Sequence, residues 1–107
     1  SQSAFKHEVN MLCSLRHPNI VNCFGACMTP PRVGLVLELC TQGTLNNFIE
    51  MKKIKSVKQK WSILLGIASG MDFLHNKHVI HRDLKSDNIL VRVFVQQKCS
   101  INTRNTD

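Results

Sequence analysis

An α+β fold is predicted for this chain of 107 residues, on three observations. "SAFKHEVNMLCSL" spaces its apolar residues as a helix does, "NIVNCFGACM" and "RVGLVLELC" read as strands, and "VKQKWSILLGIASGMDFLHN" returns to helical spacing over a longer run. A helix, a strand pair and further helices, in that order, make a mixed architecture rather than a bundle or a sandwich. The length supports one ordinary domain at most, with a core of modest size. Hydrophobic content of 43% and charged content of 20% are those of a globular chain, so wholesale disorder is not expected.

In the first helix, over residues 3 to 15, Phe5, Val9 and Leu12 share one face with Met11 and Leu15 beside them, while Lys6, Glu8 and Asn10 fall elsewhere on the wheel. Ser3 is its expected N-cap, and Pro18 stops it by disfavouring a helical conformation at His17. The two strands, joined through "TPPR", should form an antiparallel hairpin. "TQGTLNNFIE" then turns at a Gly and goes back to helical spacing. Trp61, Leu64, Leu65, Ala68, Met71 and Leu74 mark a longer helix from Val57 to Asn76, expected to be buried on most of its surface. Gly66 and Gly70 within it each cost about 1 kcal/mol against Ala, which points to close packing by another element. No repeat or low-complexity segment interrupts the chain.

Bulk properties exclude several function classes. The longest apolar stretch, "WSILLGIASGM", is too short to cross a bilayer, which takes ~20 residues, so no membrane span is expected. The N-terminus lacks the pattern of a signal peptide and begins without Met, as an excised piece would. Cysteines at 13, 23, 27, 40 and 99 are odd in number and lie mostly in apolar runs, which predicts reduced core thiols and a cytoplasmic location. Cys23 and Cys27 form the only pair close in sequence, and nothing nearby completes a zinc site. A net charge of +7 invites a nucleic-acid reading. However, "MKKIKSVKQK" holds five of the fourteen basic residues with no aromatic among them, so it reads as a solvated loop and helix start, and no nucleic-acid partner is expected.

The chemistry concentrates in "VIHRDLKSDNILV", residues 79 to 91. Its apolar flanks, Val79 with Ile80 and Ile89 with Leu90 and Val91, read as buried strand, and a polar loop pinned between such segments can hold side chains still. Asp83 precedes Leu84, an apolar neighbour that fixes the loop while the carboxylate faces a cleft, where it can orient a hydroxyl and accept its proton. Lys85 can neutralise charge developing on a transferred phosphoryl group. The side-chain oxygen of Asn88 is a hard ligand suited to magnesium.

"HRDLKSDN" resembles the catalytic loop of the eukaryotic protein kinases, H-R-D-L-x-x-x-N, with each motif position filled. By that resemblance Asp83 is the base for the substrate hydroxyl, Asn88 a magnesium ligand and Lys85 the γ-phosphate contact of serine/threonine-type enzymes. His81 would pack as a spine residue, and Arg82 would pair with a phosphorylated activation loop. "FKHEVNMLCSLRHPNIVNCFGAC" resembles the family's αC helix and following strand, with Glu8 at the αC glutamate and Leu12 on the core face. "LVLELCTQGTL" resembles the strand and hinge that hold adenine, with Leu37 as gatekeeper, the Glu38 carbonyl and Cys40 backbone as adenine partners, and Leu90 as the apolar floor. The flavour is that of the tyrosine-kinase-like group, most of which phosphorylates serine and threonine.

The implied fold is a partial protein-kinase-like one: small-lobe part over 1–37, hinge over 38–43, and over 44–91 the first large-lobe helices with the catalytic loop. Two incomplete cores joined by the hinge should be marginally stable. A kinase domain is more than twice this length. Within these residues there is no G-x-G-x-x-G loop and no V-A-I-K strand to give Glu8 a lysine partner. Where D-F-G is expected stand Ile101, Asn102 and Thr103, and 92–107 is predicted to be a divergent, poorly ordered tail. The implied parent activity is transfer of the ATP γ-phosphate to protein Ser/Thr hydroxyls with ATP and Mg2+, the 107 residues alone being inactive. The alternative is a catalytically dead kinase-like remnant that binds a partner protein. Either way, Asp83 and Asn88 should stand together at the mouth of a nucleotide cleft floored by Leu90 and rimmed near Cys40.

Overall fold

The computed structural model of the chain describes residues 2–93 and 96–99. Helix α1 (Gln2–Ser14) leads into strand β1 (Cys23–Cys27), which pairs antiparallel with β2 (Gly34–Leu37). A short helix α2 (Leu45–Glu50), a long helix α3 (Val57–Asn76), a 3-10 turn (Ser86–Asn88) and strands β3 (Ile89–Val93) and β4 (Gln96–Cys99) follow. The predicted α+β order holds, with two separate two-stranded antiparallel sheets. α1 starts one residue before the predicted cap, so Ser3 sits inside the helix rather than capping it.

Local chemistry explains where the helices begin. The Thr44 hydroxyl accepts from the Asn47 backbone N–H at 3.1 Å and starts α2. Ser56 accepts from the Gln59 N–H at 3.1 Å while Gln59 Oε1 accepts from the Ser56 N–H at 3.2 Å, a reciprocal box that starts α3. At the other end of α1, His17 Nδ1 accepts from the Asn19 N–H at 3.0 Å, which leaves Nε2 to carry the proton of a neutral ring and face Ser69 Oγ at 3.4 Å. The ring thereby ties the α1–β1 link to α3.

Two apolar clusters fill the interior. Leu12, Leu15, Ile20 and Cys23 pack with Leu74 of α3, so the first core joins α1 and β1 to the long helix. Leu45, Phe48, Ile63, Ile89 and Val91 make the second, which takes in the start of β3. Ile67 touches both clusters.

Three expectations are corrected. α3 is not buried on most of its surface: its covered stripe runs through Ile63, Ile67, Gly70, Met71 and Leu74, while Trp61, Leu64 and Leu65 are 61%, 57% and 65% exposed. Val79 and Ile80 do not form a strand. The Val79 N–H bonds the Leu74 carbonyl at 2.9 Å as part of the α3 exit turn, and Ile80 lies exposed. Of the predicted core thiols, Cys23 and Cys40 are buried and Cys13 is half-buried, but Cys27, at the end of β1 nearest the hairpin turn, is exposed.

The expectation for residues 92–107 divides. Arg92 and Val93 extend β3, and residues 96–99 form β4, paired with β3 and packed on α3. Those residues are therefore strand rather than frayed tail. Residues 94–95 and 100–107, with the Ile101, Asn102 and Thr103 positions, lie outside the described residues.

Candidate active site

The loop is held from both sides. At its start His81, 9% exposed, receives the Asp83 backbone N–H on Nδ1 at 3.2 Å. The bond fixes the backbone that presents Asp83. At the end of the loop, Ser86–Asn88 forms the 3-10 turn, with the Asn88 N–H on the Lys85 carbonyl at 2.9 Å. Ser86 Oγ donates to Asn46 Oδ1 of α2 at 3.2 Å, which anchors the turn to the helix before it. Beyond the turn, Ile89 and Val91 are 4% and 3% exposed, so β3 enters the second core as its apolar pattern requires.

Within this frame the predicted loop residues meet. Asn88 Nδ2 donates to the Asp83 carbonyl at 2.7 Å and to Asp83 Oδ2 at 3.1 Å. Lys85 Nζ lies 3.6 Å from the same Oδ2, with both side chains roughly half exposed, so their attraction is well screened by solvent. Because two acceptors take the Asn88 NH2 group, the amide oxygen is the end turned away from Asp83. The Asp83 carboxylate, the Lys85 ammonium and the Asn88 NH2 group thus meet at one partly exposed spot, with the amide oxygen on the far side. Arg82 is exposed beside them.

Residues 42–44 are bonded along β3. The Val91 N–H donates to the Gly43 carbonyl at 2.8 Å, the Gln42 N–H donates to the Val91 carbonyl at 3.2 Å, and Thr44 bridges Leu90. Gly43 takes a φ of +79, a turn conformation that side chains disfavour, and its N–H bonds the Cys40 carbonyl at 3.4 Å. Leu90, half-buried, and buried Cys40 are therefore joined through residues 42–44.

Other predicted residues sit farther from the loop. Glu38 closes the β1–β2 ladder: its N–H donates to the Asn22 carbonyl at 2.8 Å and its Oε1 accepts the Asn22 N–H at 3.1 Å. Leu37 pairs with Cys23 at the end of β2 and is 45% exposed. Glu8 is half-buried on α1, and among the described residues it has no ion-pair partner. Asn46 and Gln42 are not singled out by any sequence pattern, and Gly43 is marked only as a turn. Their partners lie about 40 residues or more away, and nothing local announces such pairings. Among the described residues there is no cluster of three or more His, Cys, Asp or Glu side chains that could hold a metal unaided. No helix of the described residues is long and apolar enough to cross a membrane.

Comparison with known proteins agrees with this geometry. The family model for protein tyrosine and serine/threonine kinases matches residues 1–102, beyond residue 91, where the motif resemblance stops. The chain is 40% identical over 92 residues to the serine/threonine/tyrosine-protein kinase HT1 of Arabidopsis thaliana, covering 84% of this chain and 24% of that protein. It is 41% identical over 95 residues to the probable serine/threonine-protein kinase drkD of Dictyostelium discoideum, covering 83% of this chain and 7% of that protein. It is 39% identical over 87 residues to human kinase suppressor of Ras 2, covering 80% of this chain and 9% of that protein. The chain thus spans a quarter or less of the length of these relatives. On its matched residues and on the assembled loop, the chain belongs to the protein tyrosine and serine/threonine kinase family.

Proposed function

We propose that this chain is the hinge and catalytic-loop portion of a protein kinase whose parent transfers the γ-phosphate of ATP to serine or threonine hydroxyls of a protein substrate. The observation that carries the reading is the bond of Asn88 Nδ2 to the Asp83 backbone carbonyl and to Asp83 Oδ2, with Lys85 Nζ 3.6 Å from the same Oδ2. In that arrangement Asp83 accepts the substrate hydroxyl proton as the oxygen attacks phosphorus. Lys85 stands where charge grows on the transferred group, and its presence supports the serine/threonine preference. Arg82 is assigned to a phosphorylated activation loop, and Glu8 to a lysine outside these residues.

Nucleotide and metal follow from the same residues. Backbone groups of Glu38 and Cys40 would hold adenine between Leu37 and Leu90. The donor set fits magnesium in part: the Asn88 amide oxygen is a hard ligand turned away from Asp83, and nucleotide phosphate oxygens would complete the shell. When bound, the metal would neutralise phosphate charge. The 107 residues alone hold no Gly-rich loop, no V-A-I-K lysine and no D-F-G aspartate, and are proposed to be inactive by themselves. Cysteines that lie mostly in apolar runs, with Cys23 and Cys40 buried, support a reducing, cytoplasmic setting.

A second reading, a non-catalytic kinase-like module that binds another protein, is favoured by one observation. Beside the exposed face of α3 a 610 Å³ groove is lined by Leu45, Ile49, Ile54, Ile63, Leu64 and Ile67, an apolar surface of the kind that marks interaction sites. Calorimetric titration of the chain with Mg-ATP separates the two. Heat of binding lost in Asn88→Ala supports the catalytic-loop reading. No heat with ATP, together with saturable capture of a defined partner protein, supports the module and overturns the first.

A further inference from the structure

Cys13 of α1 and Cys23 of β1 lie with their sulfurs 3.3 Å apart. The Cys13 S–H points at Cys23, and the Cys23 S–H points on to the Gly25 carbonyl at 3.6 Å. A disulfide bond is about 2.05 Å long, so modest side-chain rotation spans the gap. The two residues differ in access. Cys23 is 4% exposed, whereas Cys13 is half-buried at the wall of a 360 Å³ cavity between α1 and β1, lined also by Lys6, Val9, Asn10, Phe24 and Met28. A molecule the size of hydrogen peroxide can enter that cavity and meet one thiol while the other waits behind it.

We propose that Cys13 and Cys23 form an oxidative modification site, which a peroxide converts into a disulfide stapling α1 to β1. The Cys13 thiolate attacks one peroxide oxygen, the O–O bond breaks, and hydroxide leaves to be protonated as water. Cys13 is then a sulfenic acid. The Cys23 sulfur attacks the Cys13 sulfur, the S–O bond breaks as the S–S bond forms, and the departing hydroxide takes the Cys23 proton as a second water. Two thiols lose two electrons, and one peroxide gains them.

Burial, followed by the contact with Cys23, pushes the Cys13 thiol above its ordinary range, while Arg16 pulls it back in part. The first step is therefore slow at neutral pH, which suits a pair that stays reduced until peroxide accumulates. The consequence concerns α1, the helix that carries Glu8: once stapled, it is held to β1 by a covalent bond. The proposal does not depend on the catalytic reading.

The test is peroxide treatment of the folded 107-residue chain, alkylation of remaining thiols, tryptic digestion and mass spectrometry, done on the natural sequence and on Cys27→Ser. Cleavage after Lys6, Arg16 and Arg32 puts Cys13 in one peptide and Cys23 with Cys27 in another. The expected result is a Cys13–Cys23 cross-link in both proteins, removed by dithiothreitol and raising Tm by roughly 10 °C. The same treatment in denaturing guanidinium should lose most of that cross-link, because proximity comes from the fold. Full alkylation of Cys13 and Cys23 after treatment overturns the proposal. So does bridging that vanishes in Cys27→Ser, or a sulfinic acid on Cys13 with no bridge.

Discussion

Gly70→Ala pits a local gain against a tertiary clash, and the structure decides the sign. Within a helix, alanine is favoured over glycine by about 1 kcal/mol. A Cβ at Gly70, however, would lie 3.0 Å from the Asn19 carbonyl oxygen, 3.3 Å from Asn19 Cβ and 3.3 Å from Ile20 Cδ1. None of these can give way freely. Asn19 and Ile20 are held by hydrogen bonds to His17 at 3.0 and 3.1 Å, and Ile20 is fully buried. Overpacking of this kind costs about 1–3 kcal/mol, so the net loss is about 1 kcal/mol, or a Tm lowered by roughly 5 °C. Gly34→Ala is the control, because nothing lies within 4 Å of the place its new methyl group would take, and it should leave Tm unchanged or slightly raised. Thermal melts followed by far-UV circular dichroism read both. A Gly70→Ala protein more stable than the natural one would refute the close packing of α3 on the α1–β1 link.

Further outcomes follow from the same contacts. Phe48→Ala removes a ring 5% exposed in the second core and should cost about 3–5 kcal/mol, enough to abolish cooperative melting in a chain with so little core. Ser56→Ala opens the box at the start of α3 and should lower stability by about 1 kcal/mol in urea titrations, with m unchanged. Asn88→Ala leaves the Asp83 carboxylate without its amide donor and should cost about 1 kcal/mol in the same titration. In filter binding at physiological salt the chain should retain neither DNA nor RNA, since Lys52, Lys53, Lys55, Lys58 and Lys60 are exposed with no aromatic residue in "MKKIKSVKQK" on which bases could stack, and Lys53 lies over the buried Phe48 ring at 5.5 Å.

Much of this was legible where the determining interactions are local. The bounds of α3, Val57–Asn76, follow from Ser56 and Gln59 at one end and the loss of helical spacing at the other. The loop chemistry was legible because Asp83, Lys85 and Asn88 are close in sequence, so a single tight turn suffices to bring them together. What failed was mostly non-local, with one local turn as the exception. Either of two apolar stripes on α3 could face the core, and periodicity does not say which one neighbouring elements will cover. Val79 and Ile80 look like strand, but the turn at Lys77 and His78, the latter at a φ of +60, bonds Val79 back onto the helix instead. Cysteine spacing drew attention to Cys23 and Cys27, whereas the thiols in contact are Cys13 and Cys23, which only the packing of α1 on β1 brings together.

The central claim is that Asp83 and Asn88 face a nucleotide cleft bounded by Leu90 and the hinge. Amide and side-chain NMR shifts of the 107-residue chain, followed as a magnesium complex of a non-hydrolysable ATP analogue is added, test it most directly. The claim predicts concentration-dependent shifts gathered at Glu38, Leu39 and Cys40, at Leu90, and at the Asn88 side-chain NH2. Shifts confined to other regions, or none at any concentration, would contradict it.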